Sequence, residues 1–232
     1  MVKSGADDVN QVGTLRWAVA KAQNGDVIEI VPAQGGPQHI TLTHGELKLN
    51  YNVVIESVGP SDATIDGNHS SRVFEVTDGA TVFLDNLSIV GGNAKAYTTG
   101  SAYLDGDGGG ILNEGNLFMR GCSVLNNGFN GDRSTNREVQ KGGGIYNFQR
   151  LLNIYGCVVD ENFAEVAGGG VYNDRGVLAM AFTNTNFNST NGSGGAIAID
   201  IYSGNFDTGN TSGVPLYSFW LHFFCYLGFV HE

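Results

Sequence analysis

The sequence predicts an all-β fold: a right-handed, single-stranded parallel β-helix with a capping helix at its N-terminus. Three observations predict it. A glycine block recurs every 26 or 34 residues, an alternating apolar segment recurs with it, and no unit holds a stretch periodic enough for a crossover helix. The blocks GGGILN, GGGIYN, GGGVYN and GGAIAI begin at Gly108, Gly142, Gly168 and Gly194, at intervals of 34, 26 and 26 residues. Such a period signals a solenoid, whose short strands bury a face only by stacking on the next copy.

The companion segments are VFLDNLSI from Val82, LFMRGCSV from Leu117, LNIYGCVV from Leu152 and LAMAFTNT from Leu178. Each unit reads as short alternating runs joined by Gly, Asn and Asp, which is the pattern of strands between turns. Stacked in register, the units align four core columns. One is Val82, Leu117, Leu152 and Leu178; the next is Leu84, Met119, Ile154 and Met180. Ile111, Ile145, Val171 and Ile197 form the third, and Leu87, Cys122, Cys157 and Thr183 the fourth. Asn113, Asn147 and Asn173 share one repeat position, where stacked amides can bond one another along the axis. The glycines supply positive φ and close backbone approach at a corner. They lack the helix start and lysine of a phosphate-binding loop.

Earlier coils are less regular. DVIEI (26–30), HITLT (39–43), ELKLN (46–50), NVVIES (52–57), ATIDG (63–67) and RVFEV (72–76) alternate or run apolar. Before them, Thr14 can cap a helix from Leu15 to about Gln23, with Leu15, Ala18, Val19 and Ala22 as its apolar face. Three segments follow: a cap at 1–24, the β-helix at 25–205, and an atypical hydrophobic segment at 206–232. The last, with LYSFWLHFFCYLGFV, is short of the roughly 20 apolar residues a membrane-spanning helix needs. Its composition suits either a cover for the open end or sequence foreign to the repeat.

The charge balance narrows the function. There are 12 Lys and Arg against 23 Asp and Glu, a formal net charge of −11, which repels nucleic acid and anionic lipid. Three cysteines give no disulfide framework. Cys122 and Cys157 fall in adjacent coils, read as stacked buried thiols or as a strained bridge. The opening MVKSGADDVN has no apolar stretch of a secretory signal, so export is expected to depend on regions outside this sequence.

The GGGI and GGAI blocks follow turns bearing Asn and Phe, in ENFAEVAGGGV and TNFNSTNGSGGAI. In this the chain resembles the repeats of polymorphic outer membrane proteins and related bacterial surface β-helix proteins. The opening GTLRWAVAKAQNGDVIEI and the later TIDGNHSSRVFEV also resemble the start of large secreted bacterial β-helix proteins. The resemblance covers roughly residues 10 to 205 and is carried by corners and stacks, so it speaks to fold more than to activity. It implies a pectate-lyase-like solenoid that is extracellular or at the outer-membrane surface, an exported passenger with adhesive or structural duties. The sequence carries no barrel or anchor, and membrane attachment is expected only through other regions.

Chemistry is expected where the period breaks. Fourteen residues separate Asn127 from Gly142, but five separate Asn162 from Gly168, and the preceding coil is extended from Gly92 to Gly108. One insertion carries Lys95, Tyr97, Tyr103, Asp105 and Asp107; the other carries Phe129, Asp132, Arg133, Arg137 and Glu138. Tyrosines and a phenylalanine among acids and arginines suit sugar stacking and hydroxyl recognition. The ligand-binding candidates are therefore Tyr97, Tyr103, Asp105, Asp107, Phe129, Asp132, Arg133 and Arg137. Long polar loops are also simply tolerated on a solenoid face. Asp105-Gly-Asp107-Gly resembles part of a calcium loop, but Asn116 stands where a twelfth-position Glu is needed. His69, near Asp66 and Arg72, has neither triad order nor metal spacing around it.

Two functional classes follow. The first is a non-catalytic surface or secreted β-helix, adhesive or structural, with a carbohydrate-binding or other ligand-binding face. The alternative is a polysaccharide lyase or glycoside hydrolase using the same loops. No catalytic residue, metal or cofactor is assigned. The expected partner is a polysaccharide or a host or neighbour surface ligand, not nucleic acid, and the chain is expected to act as a monomer.

Overall fold

In the computed structural model, residues 1–33, 36–59, 61–94, 106–128 and 140–200 are described. Among these residues a single short helix, α1 (Leu15–Lys21), precedes six turns of strands. The first turn holds β1 (Asp26–Ile30), β2 (His39–Thr41) and β3 (Leu47–Leu49). The second holds β4 (Val53–Ser57), β5 (Ala63–Asp66) and β6 (Phe74–Val76). The third holds β7 (Thr81–Asp85), β8 (Leu87–Val90) and β9 (Ile111–Asn113), and the fourth β10 (Asn116–Arg120), β11 (Ser123–Leu125) and β12 (Ile145–Phe148). In the fifth are β13 (Leu151–Tyr155), β14 (Val158–Asp160), β15 (Phe163–Ala164) and β16 (Val171–Asp174). The sixth has β17 (Val177–Ala181), β18 (Ser189–Thr190) and β19 (Ile197–Asp200).

The chain visits three sheets in rotation and returns to each one strand further along. The first sheet is ordered β1-β4-β7-β10-β13-β17, the second β2-β5-β8-β11-β14 and the third β3-β6-β9-β12-β16-β19, with β15 and β18 as a small fourth pair. The named strands pair in parallel throughout, the arrangement expected of an all-β parallel solenoid. Side chains alternate across each strand, so one face of every sheet points to a shared interior.

The expected columns are in register. Leu117 is partnered by Val82 and Leu152, and Leu152 by Leu178. Met119 sits between Leu84 and Ile154, and Ile154 beside Met180. Ile145 lies between Ile111 and Val171, with Ile197 beyond. The earlier coils extend the same rows, since Ile28, Ile55 and Leu84 align, as do Leu47, Phe74 and Ile111. Burying one such side chain is worth about 1.5–3 kcal/mol, so the rows, not the corners, supply the favourable energy.

Elements are shorter than the sequence suggested at their ends. The helix stops at Lys21, two residues early, because Ala22 is already extended and a turn follows in which Asp26 Oδ2 accepts from the Gln23 amide at 2.8 Å. Thr14 does cap it, accepting from the Trp17 amide at 3.2 Å. Leu15 is buried in the core and Ala18 and Val19 pack against it. The helix is tied to the coil by Asp7, which accepts from Arg16 Nε at 2.5 Å and from the Thr43 and His44 amides at 2.6 and 3.0 Å. Burial raises the Asp7 pKa, but Arg16 and those amides outweigh it and hold the carboxyl below its ordinary value.

At the corners, Gly142 has φ +64 and the equivalent Gly108, Gly168 and Gly194 have +70, +64 and +65. One residue on, a Cβ at Gly143 would collide with the Phe163 and Gly169 carbonyl oxygens. The corner therefore needs glycine for conformation at one position and for space at the next.

Two amide ladders run along the axis. In the first, Asn113 Nδ2 donates to Asn147 Oδ1 and Asn147 Nδ2 to Asn173 Oδ1, each at 2.6 Å. The second was not read as a ladder from the sequence. Asn127 Nδ2 donates to Asn162 Oδ1 at 3.0 Å and Asn162 Nδ2 to Asn188 Oδ1 at 2.9 Å, while the same Nδ2 groups also reach backbone carbonyls of the preceding coil. The second ladder does not extend to Asn93. Gly92 donates its amide to Asn127 Oδ1 in that slot, and the fully buried Asn93 leaves both side-chain polar atoms without a partner. Cys122 and Cys157 are free thiols, with the Cys122 amide 3.3 Å from Cys157 Sγ. Stacking, not bridging, is what the fourth column contains.

A rung of the ladder and an orphan amide should behave in opposite ways. Asn162→Ala strips partners from buried groups on both sides and is expected to cost about 3 kcal/mol. Asn93→Ala removes an amide already unbonded and is expected to leave the urea midpoint unchanged or raised. Equal losses in the two variants would refute the ladder account.

Candidate functional site

The third sheet positions the chemistry, because both insertions lie between the second and third sheets. Just before its corner glycines stand Asp107 and Lys141. Lys141 is bridged to Ala167 and Ala167 to Ser193, and the Gly108 amide donates to the Lys141 carbonyl at 2.9 Å. On the outward face, one row runs Lys48, Glu75, Leu112, Tyr146, Tyr172 and Ala198. The next row holds Phe148, Asp174 and Asp200.

Of the residues expected to bind ligand, Asp107 alone is described and lies on this strip. Tyr97, Tyr103, Asp105, Phe129, Asp132, Arg133 and Arg137 lie outside the described residues, as do Lys95 and Glu138. So does the hydrophobic segment 206–232 with Cys225. Among the described residues, no three His, Cys, Asp or Glu side chains gather as a metal site requires.

At one end of the strip, Arg72 Nη1 reaches Glu46 Oε2 at 3.0 Å and Glu75 Oε2 at 3.7 Å. Lys48 Nζ lies 2.7 Å from Glu75 and 3.5 Å from Glu46. The two carboxyls thus share both cations, Arg72 and Lys48. Burial, with Glu75 alongside, pushes Glu46 up; for Glu75, burial is outweighed by Glu46 and Lys48, and it ends below its ordinary value.

At the other end, Tyr146 Oη lies 2.8 Å from Asp174 Oδ2, and Arg175 Nε lies 2.6 Å from Asp174 Oδ1. Burial raises Asp174, but Arg175 and Tyr146 bring it below its ordinary value. The Tyr146 phenol moves the other way, pushed well up by burial and by the bond to Asp174. Tyr146 and Tyr172 stack with centroids 5.3 Å apart, and Lys141 Nζ sits 4.9 Å over the Tyr172 ring. Both rings are buried although they point outward, packed with Leu112, Ala167, Phe148 and Ala198 into a small second core. They are consequently struts, not an open sugar platform.

Arg72 links the two ends by donating from Nε to the Asp107 carbonyl at 2.9 Å. Asp107 itself is the perturbed group. Burial pushes its carboxyl from the ordinary 3.8 to about 6, against the pull of Lys141, whose amide also donates to it, and of Arg72. His69 does not join a catalytic group: its amide donates to the Gly91 carbonyl, while Asp66 lies 3.6 Å from His39 and Arg72 turns to Glu46.

The strip was partly legible. Outward Lys48 and Glu75 follow from alternation within ELKLN and RVFEV, and Tyr146 and Tyr172 share one place in GGGIYN and GGGVYN. What alternation could not say is that these side chains would be covered. No protein-family model matches the chain, and no curated protein or solved structure matches it.

Between about pH 4 and 6, folded Asp107 holds a proton that the unfolded chain has released, so its contribution to stability falls as pH rises through that window. Asp107→Asn is therefore expected to melt higher than wild type at pH 7.5, with the difference gone at pH 4. A thermal melt at both values checks it; an equal gain at both would show that ionisation is not the cause.

Proposed function

We propose that the protein is a right-handed parallel β-helix, capped by α1, that works as a non-catalytic adhesive or structural passenger at a bacterial surface or after secretion. It is proposed to act as a monomer and to recognise carbohydrate where the two insertions emerge. Right-handedness is supported by the rule that parallel strands joined within one sheet connect with that hand. The cap is supported by α1 packing on β1 and β3, which end the first and third sheets. The resemblance to polymorphic outer membrane protein repeats supports the surface location.

The observation that carries the non-catalytic reading is how the described polar groups are used. Asn ladders, corner glycines and the paired groups Arg72–Glu46, Lys48–Glu75, Asp174–Arg175 and Asp85–Arg120 are satisfied within the stack. The insertions, which the stack does not need, end at Asp107 and Lys141. An acid and a base at that boundary suit hydroxyl-bearing ligands. A glycan array probed with the full chain is expected to show selective binding, weakened about tenfold or more by Asp107→Asn with Lys141→Gln. Absence of binding across neutral, acidic and amino glycans would defeat the carbohydrate reading.

One observation favours the enzymatic alternative. A carboxyl held near 6 in a half-buried position is what a general acid requires. Under that reading, acidic polysaccharides incubated with the chain release unsaturated or reducing ends, and Asp107→Asn abolishes the release. Wild-type protein giving no such product supports the passenger.

A further inference from the structure

The outward face of the first sheet carries chemistry that neither the stack nor the insertion corner uses. Its central column is Val27, Val54, Phe83 and Phe118 in four successive coils. Val27 and Phe83 are 52% and 45% exposed. Solvated sheet faces ordinarily turn polar side chains outward, and aligned apolar ones mark a contact surface. Further along the same sheet, Tyr155 and Val177 are 50% and 64% exposed.

Two residues along the strands runs a charged column. Glu29 aligns with Glu56, Glu56 with Asp85, Asp85 with Arg120 and Arg120 with Tyr155. Asp85 is paired with Arg120. Glu29 and Glu56 make no ion pair among the described residues, and they flank the apolar column at the end where Val27 and Val54 stand. A hydrophobic stripe with free acids along one edge is therefore presented to solvent.

We infer that this face docks an amphipathic basic helix of a partner polypeptide, with its apolar side chains on the Val27–Phe118 column and its lysines or arginines over Glu29 and Glu56. Strand addition is ruled out for the face, because β4, β7 and β10 are bonded on both sides. A second copy would bring the same free acids and a further net charge of −11. The Phe83 and Phe118 rings stack at 4.7 Å and 11°, covering one another's faces, so a flat sugar meets mostly ring edge. Ring edges instead suit an incoming aliphatic or aromatic side chain. A helix laid along the coil axis repeats every 5.4 Å or so, close to the roughly 4.8 Å between coils. Its i, i+4 and i+7 positions can then follow successive rungs.

The test uses the full chain and a fluorescein-labelled helical peptide of Leu, Ala, Lys and one Phe, with a counterpart carrying Glu at each Lys position. Anisotropy is expected to show binding of the basic peptide only, weakened by salt. Glu29→Lys with Glu56→Lys and, separately, Phe83→Ser with Phe118→Ser are each expected to weaken it about tenfold. Glu165→Gln, on another part of the coil, is expected to leave it unchanged. Circular dichroism and melting confirm that each variant is folded; if the paired Phe change melts early, Phe83→Ser alone replaces it. No binding of the basic peptide, equal binding of the acidic one, or indifference to the charge reversal would overturn the inference. So would binding confined to cello-oligosaccharides or phosphatidylglycerol vesicles.

Discussion

A polar group carried inside a stack of parallel coils has little but the neighbouring coils to bond with. That constraint organises this molecule. Asn113, Asn147 and Asn173 meet it with side-chain amides that bond end to end along the axis, and Asn127, Asn162 and Asn188 meet it again at the opposite end of the third sheet's approach loop. A buried amide left unbonded costs on the order of 1–3 kcal/mol, so a slip of one residue in any of the third to sixth coils would break a rung. In those coils the ladders and the core columns demand the same register.

The outward surfaces inherit their geometry from the same register. Because each coil repeats the last, like positions fall in rows, and a single choice of residue becomes a stripe. On the third sheet the stripe is ionisable at one end and aromatic at the other, and its groups satisfy one another: Arg72 between Glu46 and Glu75, Tyr146 and Arg175 about Asp174. On the first sheet the stripe is apolar and half exposed beside free acids. One face is closed upon itself and the other is open. Burial therefore decides which groups support the fold and which are left open to solvent, and Asp107 stands where the closed strip meets the insertions.

Much of the fold could be read directly, because a repeat multiplies a weak local signal. One alternating run such as LFMRGCSV is ambiguous alone, but four at equivalent spacing fix the columns that pair Leu117 with Leu152 and Ile145 with Val171. The second ladder escaped notice because Asn126 and Asn127 are adjacent, and in the third coil Gly92 takes the slot while Asn93 follows it. Ends of elements shifted for local reasons: Ala22 leaves the helix early because Asp26 closes a turn onto Gln23.

The site divides on the same line. Sequence by itself determined the coil period, the interior rows, the glycine corners and the place where the period lengthens, since all of these depend on spacing along the chain. Tertiary structure decided which outward side chains are covered. Tyr146 and Tyr172 alternate outward like Phe83, yet they are buried and Phe83 is not. It also decided that Glu46 and Glu75 share Arg72 and Lys48 and that the Asp107 carboxyl rises to about 6. Burial and pKa are set by neighbours brought together from distant coils, and no spacing within one coil records them.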